Sequence, residues 1–167
     1  MSKKLILIII AIVLVAAVVA AVVVVNNNNK ADKEKNGNAE SAELNLEDLN
    51  KKFATMAPFD EMASMDIDST MLTDVFQIDE DLLEGYVGKF PMMMVHASMD
   101  LVVEAKDGEV ETVKTQVETY ASAYEAQWEM YLPEQYELVK DRKCGVSGNF
   151  VYLFIGESAA EMEKLMK

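Results

Sequence analysis

The longest regular pattern in the chain is an alternation of apolar and charged positions over 109–132. Apolar and aromatic residues recur there at steps of three, four and seven, a spacing that keeps them on one face of a helix. They are Val110, Val113, Val117, Tyr120, Tyr124 and Tyr131. Asp107 is a candidate N-cap and Pro133 a stop signal. The pattern predicts one long helix whose apolar face covers a sheet. A second interpretation is that the tyrosine stripe, with Trp128 nearby, lines a ligand groove.

Segments with strand-like patterns lie on both sides of the predicted helix. They cover 91–96 and 101–106 before it, and 140–147 and 150–156 after it. The last two flank Gly148-Asn149, a hairpin signal. The final segment is apolar on both faces, which is typical of a strand covered on both sides. The prediction is therefore an α+β fold, in which an antiparallel sheet of about four strands packs on one long helix.

Shorter helical patterns complete the domain at both ends. Asn45 is the candidate N-cap of a helix over 45–56, and two more short helices are predicted at 70–76 and 79–87. A last helix over 158–167 begins with a capping box formed by Ser158 and Glu161. We expect 59–69 to be irregular and 133–139 to form a turn. The N-terminal helices should cover part of the second face of the sheet.

The N-terminal part has a different character. Residues 5–25 contain no polar side chain, and a 21-residue helix spans the ~30 Å hydrocarbon layer of a bilayer. Lys3 and Lys4 predict that residues 1–4 remain cytoplasmic. Residues 26–44 are polar and form a flexible linker, so that 45–167 is an extracytoplasmic domain. The alternative is a cleaved signal peptide, with 18–20 as the cleavage site and a secreted product.

Charge excludes one class of partner. Residues 31–167 carry 12 basic and 29 acidic side chains, and such a surface repels nucleic acid. Cys144 is the only cysteine and His96 the only histidine, so neither an internal disulfide nor a zinc site of His and Cys ligands is expected. No cofactor is predicted. Met92, Met93 and Met94 with His96 are a candidate Cu(I) site, because Cu(I) favours thioether ligands.

Two further functional hypotheses concern surface groups. Aromatic residues are enriched at interaction sites, and we expect Trp128, Tyr131 and Tyr136 to form an exposed contact patch. A pair of carboxylates suited to hydrolysis is also compatible with so acidic a chain, although the sequence singles out no pair.

The sequence resembles a known family in several segments. They are YLPEQYELVK at 131–140, GNFVY at 148–152, Phe90-Pro91-Met92, the strand and turn at 102–108, and the long helix. They resemble an uncharacterised domain of Gram-positive bacteria, domain of unknown function 4358, from Leu46 to the end of the chain. Members are typically secreted or membrane-tethered, many through a lipoprotein cysteine. This chain has a spanning segment instead. The resemblance implies no activity.

Taken together, these patterns favour a membrane-anchored, non-enzymatic module at the cell envelope that binds a small ligand or another envelope protein. The alternatives are a carboxylate-based cell-wall or peptide hydrolase and a methionine-based copper-binding protein.

Overall fold

Residues 44–167 are the part of the chain that the computed structural model describes. The predicted cytoplasmic stub at 1–4, the membrane segment at 5–25 and all but the last residue of the linker at 26–44 lie outside the described residues. Within 44–167, no helix combines the length and the apolar character needed to cross a membrane.

Five strands and four α-helices form the described domain. The helices are α1 Leu46–Phe53, α2 Val110–Trp128, α3 Pro133–Lys140 and α4 Ala159–Leu165. The strands are β1 Ser64–Asp66, β2 Leu83–Pro91, β3 Met99–Ala105, β4 Lys143–Ser147 and β5 Phe150–Ile155. A π-helical turn at Met71–Val75 and a 3-10 turn at Glu80–Leu82 connect β1 to β2.

The strands form one sheet in the order β1-β2-β3-β5-β4, and every neighbouring pair is antiparallel. In the centre of the sheet, Leu101 of β3 is opposite Gly88 of β2 and Leu153 of β5. The predicted α+β class with an antiparallel sheet is confirmed, with five strands instead of about four.

The sheet is covered on both faces, and each face has its own apolar cluster. We call the face that packs with α2 and α3 the groove face, and the face that packs with α1 and α4 the terminal face. The groove face carries Leu101, Val103, Leu153 and Ile155. The terminal face carries Val102, Tyr152 and Phe154, which pack with residues of α1 and α4. Successive side chains of a strand point to opposite faces, which explains why the whole of β5 is apolar.

The long helix and the first helix have clear local causes. The buried stripe of α2 follows steps of four and three through Val113, Val117, Ala121, Tyr124 and Trp128. Because the helix ends at Trp128, Tyr131 lies beyond it and is 57% exposed. At α1, the predicted Asn45 cap is confirmed, since the Asn45 side chain accepts from the Asp48 amide at 3.1 Å.

The helix predicted at 79–87 is wrong, because this segment is a 3-10 turn followed by β2. Asp79 does cap the turn, but Gly85 and Gly88 lie inside the strand rather than at a helix end. A Cβ on Gly88 would lie 2.4 Å from the carbonyl oxygen of Asp100 on β3, and one on Gly85 would lie 2.9 Å from Leu46 of α1. Gly88 therefore marks a close approach between β2 and β3, and Gly85 one between β2 and α1.

Other predicted boundaries also require correction. The strand predicted at 91–96 is a loop after Pro91, and the turn predicted at 133–139 is α3, which has Pro133 in its first turn. Part of the irregular segment predicted at 59–69 is β1. Ser158 makes no side-chain capping bond. Asp107 does not cap α2 but accepts from the Asn149 side chain at 3.1 Å.

Candidate functional site

A groove of about 560 Å³ opens on the groove face beside α2. One wall is formed by residues 115–128 of α2. The other consists of residues 75–77, at the end of the π-helical turn, and of the end of β2 with the loop that follows it. Ligand pockets in proteins commonly have volumes of roughly 300–1,000 Å³, so the groove is large enough for a small molecule.

An unbroken row of aromatic rings runs along this groove. Its members are Phe90, Phe76, Tyr120, Tyr124 and Trp128. Neighbouring ring centroids in the row are 4.4–5.9 Å apart. The four-residue spacing along α2 places three of the rings on one helix face, and the chain before β2 and the end of β2 supply the other two. Tyr120 and Tyr124 of the predicted stripe therefore line a groove with Trp128, whereas Tyr131 does not, and the same rings also pack against the core.

The hydroxyl groups in the row are neutral. Burial raises the pKa of Tyr120 well above its usual value. Burial also raises the pKa of Tyr124 to about 12, a rise that the nearby indole of Trp128 partly opposes. The Tyr124 hydroxyl donates to the Ala97 carbonyl at 3.3 Å. Neither tyrosine is therefore ionised near neutral pH, and neither supplies a base.

The lining contains no Asp, Glu, Lys or Arg. Charged residues make up 26% of the chain, so an uncharged lining of fifteen residues is unexpected by composition alone. The polar groups that it does contain are amides and hydroxyls, with one imidazole. They belong to Gln77, Gln116, Gln127, Thr115, Thr119 and His96, besides the tyrosines. The groove can accept an uncharged, mostly apolar ligand and offers it a few neutral hydrogen-bonding groups.

The three residues predicted as a contact patch do not share one exposed surface. Trp128 is only 4% exposed and lies in the groove wall, so its expected exposure is wrong. Tyr131 is exposed, and its ring centroid is 5.5 Å from that of Trp128. Tyr136 is half-buried on α3, with the Lys140 ammonium 5.3 Å from its ring centroid. Whether these residues contact a partner stays a prediction.

Sequence reasoning missed the wall opposite α2. The sequence patterns predict helices at 70–76 and 79–87, which puts Phe76 in a helix and Gln77 and Phe90 in connections, and nothing in them brings these residues close to the long helix. Gln77 has a φ of +55°, which is uncommon for a residue with a side chain. Only the aromatic spacing on α2 signalled the groove in advance.

The loop after β2, which contains Met92, Met93 and Met94, borders both the groove and a second cavity. Met92, Met93 and Met94 are 59%, 49% and 67% exposed. Met94 lines the groove, whereas Met93 lines the second cavity, so these two side chains do not meet in one cavity. This arrangement gives the copper hypothesis no support.

Three carboxylate side chains line the second cavity, whose volume is about 480 Å³. Asp60, Glu61 and Glu157 line it together with His96. Among residues 44–167, however, no three His, Cys, Asp or Glu side chains are arranged to hold a metal ion.

Comparison with known proteins assigns the chain to a family. The domain is a two-sided α+β module with an uncharged aromatic groove. The chain belongs to the family described as Domain of unknown function (DUF4358), whose profile matches residues 57–156. Helices α1 and α4 lie outside the matched residues, so the match is shorter than the resemblance from Leu46 to the end of the chain. No curated protein and no solved structure matches this chain.

Proposed function

We propose that this protein is a non-enzymatic binding module at the cell envelope, and that its groove holds an uncharged, mostly apolar small molecule. The observation that carries the proposal is the uncharged aromatic lining of the groove. Residues 44–167 include 10 basic and 25 acidic side chains, yet none of them lines the groove. A ligand in the groove would therefore contact only uncharged side chains. Burying apolar ligand surface against these rings would supply the affinity.

The envelope location rests on the sequence. The apolar run at 5–25 is long enough to span a bilayer, and the polar linker at 26–44 would hold the domain near the membrane surface. The alternative remains secretion after cleavage of this segment. Protease added to intact cells that express residues 1–167 should digest the domain while the cells stay sealed. Protection of the domain until lysis would contradict the proposed location.

The hydrolase alternative would have to use the second cavity, because the aromatic groove holds no carboxylate. A protein partner at the envelope is compatible with the exposed Tyr131 beside the groove. Neither alternative explains why the groove lining avoids charge, and the small-ligand proposal does.

The test uses the fact that Trp128 is the only tryptophan in the chain. Excited at the indole band, the protein should transfer energy to a neutral naphthyl fluorophore such as N-phenyl-1-naphthylamine only when the probe lies near the groove. We expect saturable transfer with 1:1 stoichiometry. Transfer that rises linearly with probe concentration, without saturation, would contradict the proposal.

A matched pair of variants locates the probe. Ala123 and Ala126 are both exposed on α2, but only Ala123 lines the groove. Ala123→Phe should fill the groove and lower probe affinity at least tenfold, because the added ring occupies ligand volume. Ala126→Phe makes the same change outside the lining and should leave affinity within twofold of the parent. Equal effects of the two variants would show that the probe binds elsewhere.

A further inference from the structure

The indole nitrogen of Trp128 is a buried donor without a partner. Trp128 lines the groove and is 4% exposed, and its Nε1 has no hydrogen-bond acceptor among residues 44–167. Buried side-chain donors in folded proteins are nearly always paired, because an unpaired donor has lost its hydration and gained nothing. This donor therefore requires an explanation.

Two other polar side chains that line the groove are paired within the described residues. The Tyr124 hydroxyl donates to the Ala97 carbonyl, and the Gln116 side chain accepts from the Asp79 amide at 3.3 Å. The indole lies near the Tyr124 hydroxyl but outside hydrogen-bonding geometry. The remaining unpaired buried atoms of the described domain belong to Asn50 and Asp100, which do not line the groove. The unpaired donor is thus a particular feature of the groove wall.

We propose that Trp128 is a specificity-determining residue, and this proposal rests on the proposed function. The Nε1–H of Trp128 selects apolar ligands that carry a hydrogen-bond acceptor, such as a ketone or amide oxygen. An acceptor from the ligand would pair this buried indole N–H. The absence of fixed charge in the lining means that this acceptor is neutral, because a carboxylate would meet no cation in the groove.

The Nε1–H of Trp128 is buried, so a ligand acceptor would reach it only after a small displacement of neighbouring side chains. Tyr124 and Tyr131 have rings close to the indole, with centroids 5.9 Å and 5.5 Å away. Tyr124 is buried and tied to Ala97, whereas Tyr131 is 57% exposed and lies outside the helix. Of these two rings, that of Tyr131 is the more exposed and would move aside more easily.

The test compares two competitors that differ in one acceptor. 2-Acetylnaphthalene and 2-ethylnaphthalene share the same ring system and nearly the same size, but only the acetyl compound has a carbonyl oxygen. Each compound competes with N-phenyl-1-naphthylamine for binding to the full chain. The change in the fluorescence emission of this reporter measures its displacement. We expect the acetyl compound to bind roughly five- to tenfold more tightly than the ethyl compound. Trp128→Phe keeps a ring in the wall but removes the N–H, and should reduce this ratio to about one.

Magnetic resonance of the parent protein provides a readout that does not depend on a variant. With one tryptophan in the chain, ¹⁵N labelling gives a single indole N–H signal. Saturating 2-acetylnaphthalene should shift its proton downfield, and 2-ethylnaphthalene should shift it much less.

The outcomes separate the two proposals. Equal competition by the two compounds, or equal indole shifts, would overturn the role of Trp128 and leave the groove as a ligand site. If the reporter fails to bind the parent protein, the proposed function itself is wrong, and the specificity proposal fails with it.

Discussion

Helices cover both faces of the sheet, but they pack against the strands differently on the two faces. On the terminal face, α1 and α4 cover the strands, and Phe53 packs edge-on against Phe154 with ring centroids 5.2 Å apart. On the groove face, α2 and α3 cover the strands but leave a cavity of about 560 Å³ beside the aromatic row. The elements of the groove face lie within the family match, whereas both helices of the terminal face lie outside it.

Besides Asn50 of α1, whose side-chain oxygen is unpaired, each face carries an unpaired polar group on a residue that is at most 4% exposed. On the groove face it is the donor of Trp128, at the cavity. On the terminal face it is Asp100, which is 0% exposed and whose carboxylate oxygens have no hydrogen-bond partner among the described residues. Because Asp100 lines neither cavity, its consequence is for stability, whereas that of Trp128 is for binding. Of these two buried polar groups, only that of Trp128 adjoins a cavity and can therefore indicate a ligand site.

Stability should fall most when a buried phenylalanine is replaced, and each face offers one for a single-residue variant. Phe53 and Phe76 are both 0% exposed, and they belong to the terminal face and the groove wall respectively. Replacing either by Ala should lower the free energy of unfolding by about 3–5 kcal/mol, measured by urea denaturation. Only Phe76→Ala should also weaken binding of the naphthyl reporter. A change of more than twofold in Phe53→Ala, under conditions where it stays folded, would show that the faces are coupled.

Asp100 should make the stability of the domain depend on pH. Burial raises the pKa of Asp100 from 3.8 to about 7, against an opposing effect of the nearby Lys89 charge and amide, and the charge of Asp66 adds to the rise. Since the folded state binds this proton more tightly than the unfolded state, the contribution is fully present below pH 3.8. It is lost as pH rises through about 7, by up to ~4 kcal/mol.

Asp100→Asn tests this dependence, because the amide cannot ionise. We expect the variant to be more stable than the parent at pH 8 and to have a flatter profile of unfolding free energy between pH 4 and 8. Asp141→Asn, an exposed change that also removes one negative charge, serves as the control and should leave the profile nearly unchanged. A parent protein that gains stability from pH 5 to pH 8, with no change in Asp100→Asn, would contradict the assignment.

The smallest effect concerns two methionines in the same loop. Met92 and Met94 are both highly exposed, but only Met94 lines the groove. Either residue replaced by Ser should change the free energy of unfolding by less than ~0.5 kcal/mol. Met94→Ser should lower reporter affinity about two- to fivefold through lost apolar contact, whereas Met92→Ser should not. Similar affinities for both variants would remove the loop from the groove wall.

The sequence predicts those parts of the fold in which local pattern and tertiary packing agree. Helices α1 and α2 have an apolar periodicity that matches their burial, and the continuous apolar run of β5 matches its burial on both faces. The turn at Gly148-Asn149 similarly identifies the β4–β5 hairpin.

The wrong predictions have identifiable physical causes. Gly85 and Gly88 are compatible with the end of a helix, but in β2 a side chain at 88 would collide with the backbone of β3, which only the folded chain brings near. Pro133 is compatible both with the end of one helix and with the first turn of the next, and the sequence does not distinguish these.

The candidate site was only half accessible to sequence reasoning. Tyr120, Tyr124 and Trp128 share one helix, so their proximity follows from helical spacing. Phe76 and Phe90 join them through a turn and a strand that are distant in sequence. The unpaired state of the Trp128 donor depends on every neighbour at once, and no local pattern encodes it.

The uncharged lining has a consequence for how the domain would respond to its surroundings. Dissolved ions screen interactions between exposed charges, so salt should weaken the repulsion between this acidic shell and other acidic surfaces. The groove has no fixed charge to screen, and its hold on a neutral occupant should hardly change from dilute medium to moderate salinity. Crowding of the domain against its neighbours would then vary with ionic conditions while occupancy of the groove stays nearly constant.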